Sequence, residues 1–147
     1  MQFARPSSDT LLSSWSNQAA STVTVYTAIN EVTQEDTSFV QSQLLPTSGL
    51  WYVTRLTSIG DPLTGDSHTV SYAYERSSEA GGGQCDLEVE LREGFVSTVT
   101  PGTSIASWTH TAISTSWTSA AQTLTTVQAN LITQYSSMFL IFKPKQV

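Results

Sequence analysis

The residues able to carry chemistry are few and scattered. His68 and His110 are the two histidines of the chain. A Ser-His-Asp hydrolase needs a serine held on a sharp strand-to-helix turn, and the Gly-x-Ser-x-Gly pattern that builds one is missing. With 22 serines in the chain, a serine near a histidine is a chance event, so each histidine reads as a surface or sandwich-edge residue. Asp61, Asp66 and His68 are close enough in sequence to share a metal ion. The alternating acids of a calcium loop are absent, however, and Pro62 with Gly65 explain the stretch as a turn. Asp86, Glu88 and Glu90 recur at every second position. A glycosidase uses two carboxylates about 5–9.5 Å apart across a cleft. Three acids along one strand face read instead as a solvated face that discourages edge pairing. Cys85, out of phase with those acids, reads as a small buried hydrophobe. Trp15, Trp51, Trp108 and Trp117 could offer a flat platform to a sugar, but they read first as core anchors. No catalytic residue, metal or cofactor is assigned on these grounds.

The elements that carry these residues are mostly strands. Val70, Tyr72 and Tyr74 alternate with Thr69, Ser71 and Glu75. Cys85, Leu87, Val89 and Leu91 alternate with Asp86, Glu88, Glu90 and Arg92. Both are period-two patterns of half-buried strands. Gly81-Gly82-Gly83 between them predicts a hairpin tip, with the two runs paired antiparallel. Further strands are predicted at Thr22–Ile29, Phe39–Gln43, Leu50–Thr57, Phe95–Val99, Ser107–Ile113 and Met138–Phe142, each rich in β-branched or aromatic residues. The last is apolar on both faces and belongs inside a sheet. One short helix is predicted over Thr125–Thr133, because Thr125 and Gln128 have capping-box spacing. The pattern predicts an all-β protein, a jelly-roll-like β-sandwich with one short helix near the C-terminus. Residues 1–14 read as an N-terminal arm, 15–142 as the sandwich and 143–147 as a C-terminal tail.

Composition narrows the function classes. The chain has 147 residues and a mass of 15.9 kDa, which fits one domain. Charged residues make up 12%, about half the usual share. Ser and Thr together number 44 of 147, so hydroxyls must supply the surface polarity. Twelve acids against six bases give a net charge of −6, which argues against a nucleic-acid partner. No apolar run approaches the about 18 residues of a membrane helix, and no membrane partner is expected. The single cysteine excludes an internal disulfide. The N-terminus lacks a signal-peptide pattern, and synthesis and folding in a cytoplasm are expected.

Several segments, taken in order, resemble small β-rich virion-surface proteins of tailed bacteriophages, of the capsid decoration (cement) type. Arg5-Pro6, Trp15, Ile29-Asn30-Glu31 and Asp36-Thr37-Ser38-Phe39-Val40 are similar to the first part of that layout. Leu87-Glu88-Val89-Glu90-Leu91-Arg92-Glu93-Gly94 is similar to the middle and 129–138 to the end. Gln134 and Ser137 depart from it, standing where acids usually flank Tyr-Ser. The resemblance implies a jelly-roll-like domain on the outer head surface, bound to the major capsid protein, homo-oligomeric (a trimer being one such form) and without enzymatic activity. A carbohydrate-binding or structural module of a phage tail or fibre is the alternative, and a small jelly-roll hydrolase the third reading. Partner contacts are expected from the arm: Phe3, Leu11 and Leu12 are apolar residues that a free arm would leave wet, and Arg5 can meet an acid on a neighbour.

Overall fold

The computed structural model describes residues 2–33, 36–43, 50–63, 68–78 and 83–147. Nine strands lie among them: β1 (Pro6–Leu11), β2 (Ser16–Asn17), β3 (Val40–Gln41), β4 (Tyr52–Leu56), β5 (Thr69–Tyr74), β6 (Cys85–Glu93), β7 (Thr103–His110), β8 (Thr118–Thr123) and β9 (Met138–Gln146). One helix, α1 (Thr126–Ala129), precedes β9. The chain is an all-β sandwich, as its alternation predicts. A five-stranded antiparallel sheet in the order β1-β4-β9-β6-β7 faces a two-stranded sheet of β5 and β8, with β2 and β3 forming a second small pair. The chain crosses between the large sheet and the β5–β8 pair four times, entering and leaving β5 and then β8.

Alternation along β6 sets the layers. Leu87, Val89 and Leu91 point to the inner face and join Leu56, Ile105, Leu124, Ala129 and Leu140 in the main core. Val70, Tyr72 and Tyr74 of β5 pack onto this core from the other layer. Cys85 lies on the inner face as expected but is half-buried. A second inner cluster stacks Tyr52 between Trp15 and Phe142, at 5.6 and 6.0 Å between ring centroids. The outer face of the large sheet carries its own apolar group of Val53, Phe95, Phe139 and Ile141. Strand β9, buried throughout Met138–Ile141, runs between β4 and β6 and is the centre of the sheet. The capping box at α1 is complete: the Thr125 hydroxyl accepts the Gln128 amide, and the Thr125 amide donates to Gln128 Oε1 at 2.9 Å.

Five expectations are corrected. The runs 68–75 and 85–92 do not pair: β5 pairs with β8 across all six residues, and β6 lies between β7 and β9. The apolar face of β5 is buried by facing β6 across the core rather than beside it. Of the glycine triplet, Gly81 and Gly82 lie outside the described residues. The segment Thr22–Ile29 holds a 3-10 turn at Val25–Ala28, because the Asp9 carboxylate accepts the Val25 and Tyr26 amides at 2.6 and 2.8 Å. Phe95–Val99 forms a loop in which Ser97 and Thr100 exchange backbone hydrogen bonds, while Phe95 packs on Phe139. The expected tail 143–147 is strand up to Gln146, where Lys143 stands opposite Glu88. The expected arm 1–14 contains β1, an edge strand of the chain's own sheet paired with β4.

Candidate functional site

Of the four residues expected to contact a partner, only Phe3 faces outward, at 63% exposure. Leu11 packs against the outer-face apolar group, and Leu12 against the Trp15–Tyr52 cluster. Arg5 donates from Nη1 to the Glu31 carbonyl at 2.5 Å, and its guanidinium lies 5.3 Å from the Phe3 ring centroid. For Leu11 the register of β1 explains this: Leu11 stands opposite Val53 of β4, a member of that apolar group, instead of being offered to a neighbour.

The acids of β6 form an ion cluster on the outer face. Glu90, only 5% exposed, accepts from Arg92 Nε at 2.6 Å and from Lys143 Nζ at 2.7 Å. Lys143 Nζ is also 3.8 Å from Glu88 and 4.3 Å from the Trp51 ring centroid. Burial opposes ionisation of Glu90. Its hydrogen bonds to Arg92 and Lys143 outweigh that and hold the carboxyl at about 2. Burial and the neighbouring Glu90 push Glu88 the other way, up from the usual carboxylate range. Two carboxylates with diverging acidities can mark a general acid and a nucleophile. Here the cations occupy both Glu90 oxygens, which leaves a structural ion cluster. The expectation of a solvated acidic face that discourages edge pairing is corrected: Asp86 and Glu88 are half-buried, Glu90 is buried, and β6 is an interior strand between β7 and β9.

A second constellation joins the layers. Tyr72 and Tyr74, two apart on β5, reach His110 at the end of β7: the Tyr72 hydroxyl is 2.8 Å from Nε2 and the Tyr74 hydroxyl 2.9 Å from Nδ1. A neutral imidazole has one donor and one acceptor nitrogen, so one tyrosine donates and the other accepts. Burial lowers the His110 pKa and pushes the Tyr72 hydroxyl up to about 12. The trio acts as a cross-layer clamp. Sequence reasoning marked His110 as an edge residue and missed the clamp. The tyrosine spacing was visible, but the 36 and 38 residues that separate the tyrosines from His110 carry no local signal.

His68 bonds the Tyr135 hydroxyl through Nε2 at 2.7 Å. The turn expected to compete with a metal is described only in part, since Asp66 lies outside the described residues. Asp61 there accepts the Leu63 amide at 2.8 Å, and no group of metal-binding side chains occurs among the described residues. A cleft of about 1830 Å³ opens between the layers and is lined by Tyr72, Tyr74, Trp117, Phe39, His68 and Glu31, among others. His68 Nδ1 and Glu31 Oε2 are buried on its lining residues without a hydrogen-bond partner. The tryptophans form no exposed platform: Trp15 is buried, and Trp51, Trp108 and Trp117 are half-buried. Comparison with family models, curated proteins and solved structures finds no match to this chain.

Proposed function

We propose that this chain is a virion structural protein of the decoration type, which seats on the outer surface of a bacteriophage head and bridges neighbouring capsomers as a homo-oligomer. The observation that carries this reading is the chemistry of the exposed strands. Every exposed strand position of β1, β5, β7 and β8 except Ala121 is Ser or Thr: Thr10, Thr69, Ser71, Thr103, Ser104, Ser107, Thr109, Ser119 and Thr123. A stiff sheet with a hydroxyl surface adheres through hydrogen bonds and shape. Such contacts are screened little by salt, which suits a particle exposed to changing water. The order of the motifs in the chain supports the same reading. Electron microscopy of phage particles with a gold-labelled antibody to this protein tests it. Label over the heads, retained after a high-salt wash, is the expected result; label confined to tails, or absent from particles, overturns it.

The cleft favours a second reading, a glycan-binding module of a tail or fibre. Tyr72, Tyr74 and Trp117 line the cleft, and His68 Nδ1 and Glu31 Oε2 are buried on its lining residues without a hydrogen-bond partner. Calorimetric titration with host-surface oligosaccharides separates the two readings, since decoration requires no heat of glycan binding.

A further inference from the structure

The large sheet has two edges, and they are finished differently. Strand β1 is blunted in the manner of protected edges: it contains Pro6 and Asp9, its register shifts twice, and Asp9 ties the 3-10 turn Val25–Ala28 beside it. Strand β7 has none of these devices along its free side. Its eight residues, Thr103-Ser104-Ile105-Ala106-Ser107-Trp108-Thr109-His110, include no Asp, Glu, Lys, Arg or Pro. Among the described residues, only β6 hydrogen-bonds to its backbone. The outward amides and carbonyls of β7 thus form an unused pairing template.

We propose that two copies of this chain pair through β7, antiparallel and about a two-fold axis at Ser107, to make one continuous ten-stranded sheet. The occupant follows from the side chains. Ala106 and Trp108 share the inner face, opposite Leu91 and Val89 of β6. A two-fold centred on Ser107 sets Trp108 of each copy beside Ala106 of the other, a large ring against a methyl group. The same register puts exposed Ser107 against itself and half-buried His110 beside exposed Ser104, with no like charges opposed. Each copy carries −6, and an uncharged edge is where two such molecules can meet. An isologous pair of this kind closes at two copies, so the unit is a dimer rather than a trimer. The inference is independent of any virion role.

Sedimentation velocity of the full chain over about 1–200 µM should show a monomer–dimer equilibrium, stronger in added salt as the mutual repulsion is screened. Ser107→Lys, at an exposed position, should weaken it at least about tenfold by placing two ammonium groups at the axis. Its circular dichroism spectrum should match wild type, whereas Ser107→Thr should dimerise normally. Oxidation of Ser107→Cys in a Cys85→Ala background should give a covalent dimer, because directly opposed residues lie about 4.5–5.5 Å apart between Cα atoms, within disulfide reach. The β5 and β8 edges are equally uncharged, and Ala121→Cys in the same background should give none. A wild-type chain monomeric at the highest concentration, a Ser107→Lys dimer as strong as wild type, or cross-linking at Ala121 in place of Ser107 overturns the proposal.

Discussion

Replacing Glu90 by Gln tests whether the outer-face ion cluster is structural. The side chain keeps its shape and loses its charge. Glu90 is 5% exposed, and the Arg92 and Lys143 side chains bonded to it are 15% and 16% exposed, so water screens the cluster little. A carboxyl held at about 2 in the folded chain, against 4.5 ordinarily, contributes about 3 kcal/mol at neutral pH. Leaving two half-buried cations without that carboxylate acts in the same direction, so Glu90→Gln should cost about 2–4 kcal/mol at pH 7. Because the folded-state pKa is depressed, this stability is present above about 4.5 and is lost as pH falls towards about 2. Glu88, shifted upward, takes up its proton earlier and offsets part of that loss. Urea unfolding of wild type and Glu90→Gln at several pH values between about 7 and 2.5 measures the gap directly. The gap should shrink steadily below pH 4.5. A gap that stays constant across the range, or one under about 0.5 kcal/mol at pH 7, would mean that the cluster behaves as an ordinary surface pair and the reasoning is wrong.

Three further outcomes are expected. Leu87→Ala removes a core side chain that is 6% exposed and should cost about 2–5 kcal/mol by urea unfolding. Asp9→Ala frees two backbone amides and the Tyr52 hydroxyl at once, and should cost about 2–3 kcal/mol with a change in near-ultraviolet circular dichroism from Tyr52. Gly102→Ala should lower the thermal midpoint markedly, since φ is +76° and a Cβ there would lie 2.1 Å from the Glu93 carbonyl oxygen, whereas Val99→Ala in the same loop, 90% exposed, should leave it nearly unchanged.

What the sequence discloses of this fold is what is local. The alternation of Leu87, Val89 and Leu91 with acids marks an inner and an outer face within one strand. Thr125 and Gln128 meet within four residues, so their capping box is visible in the spelling. The unbroken apolar run Met138–Ile141 signals a strand covered on both faces. Pairing partners are not local, and they are where the reading departs from the structure. Val23 and Val25 look like strand residues until Asp9, from another strand, caps the turn they sit in. Thr118–Thr123 contains no large apolar side chain, so nothing in it announces a strand; its partner β5 supplies the tyrosines. Lys143-Pro144-Lys145 has the composition of a tail, yet its hydrophilicity is matched across the ladder by Glu88 and Asp86.

The same non-local pairings determine what the exterior can bind. Five of the six basic residues have side-chain nitrogens engaged within the chain: Arg5 on the Glu31 carbonyl, Arg55 on Ser136, Arg76 on Ile113, and Arg92 and Lys143 on Glu90. Among the described residues, only Arg92 and Lys143 are neutralised by a carboxylate, but the net charge of −6 repels an acidic partner. What the molecule presents, among the described residues, is hydroxyl groups on rigid strands and uncharged strand edges. Such a surface binds slowly and by fit, because no long-range attraction speeds the encounter. It therefore suits a partner that offers many identical, closely spaced and pre-formed sites, where effective concentration compensates for modest single-contact affinity. The capsid surface proposed above as its partner is an array of that kind, and the proposed edge-paired dimer would bring two binding faces to it at once.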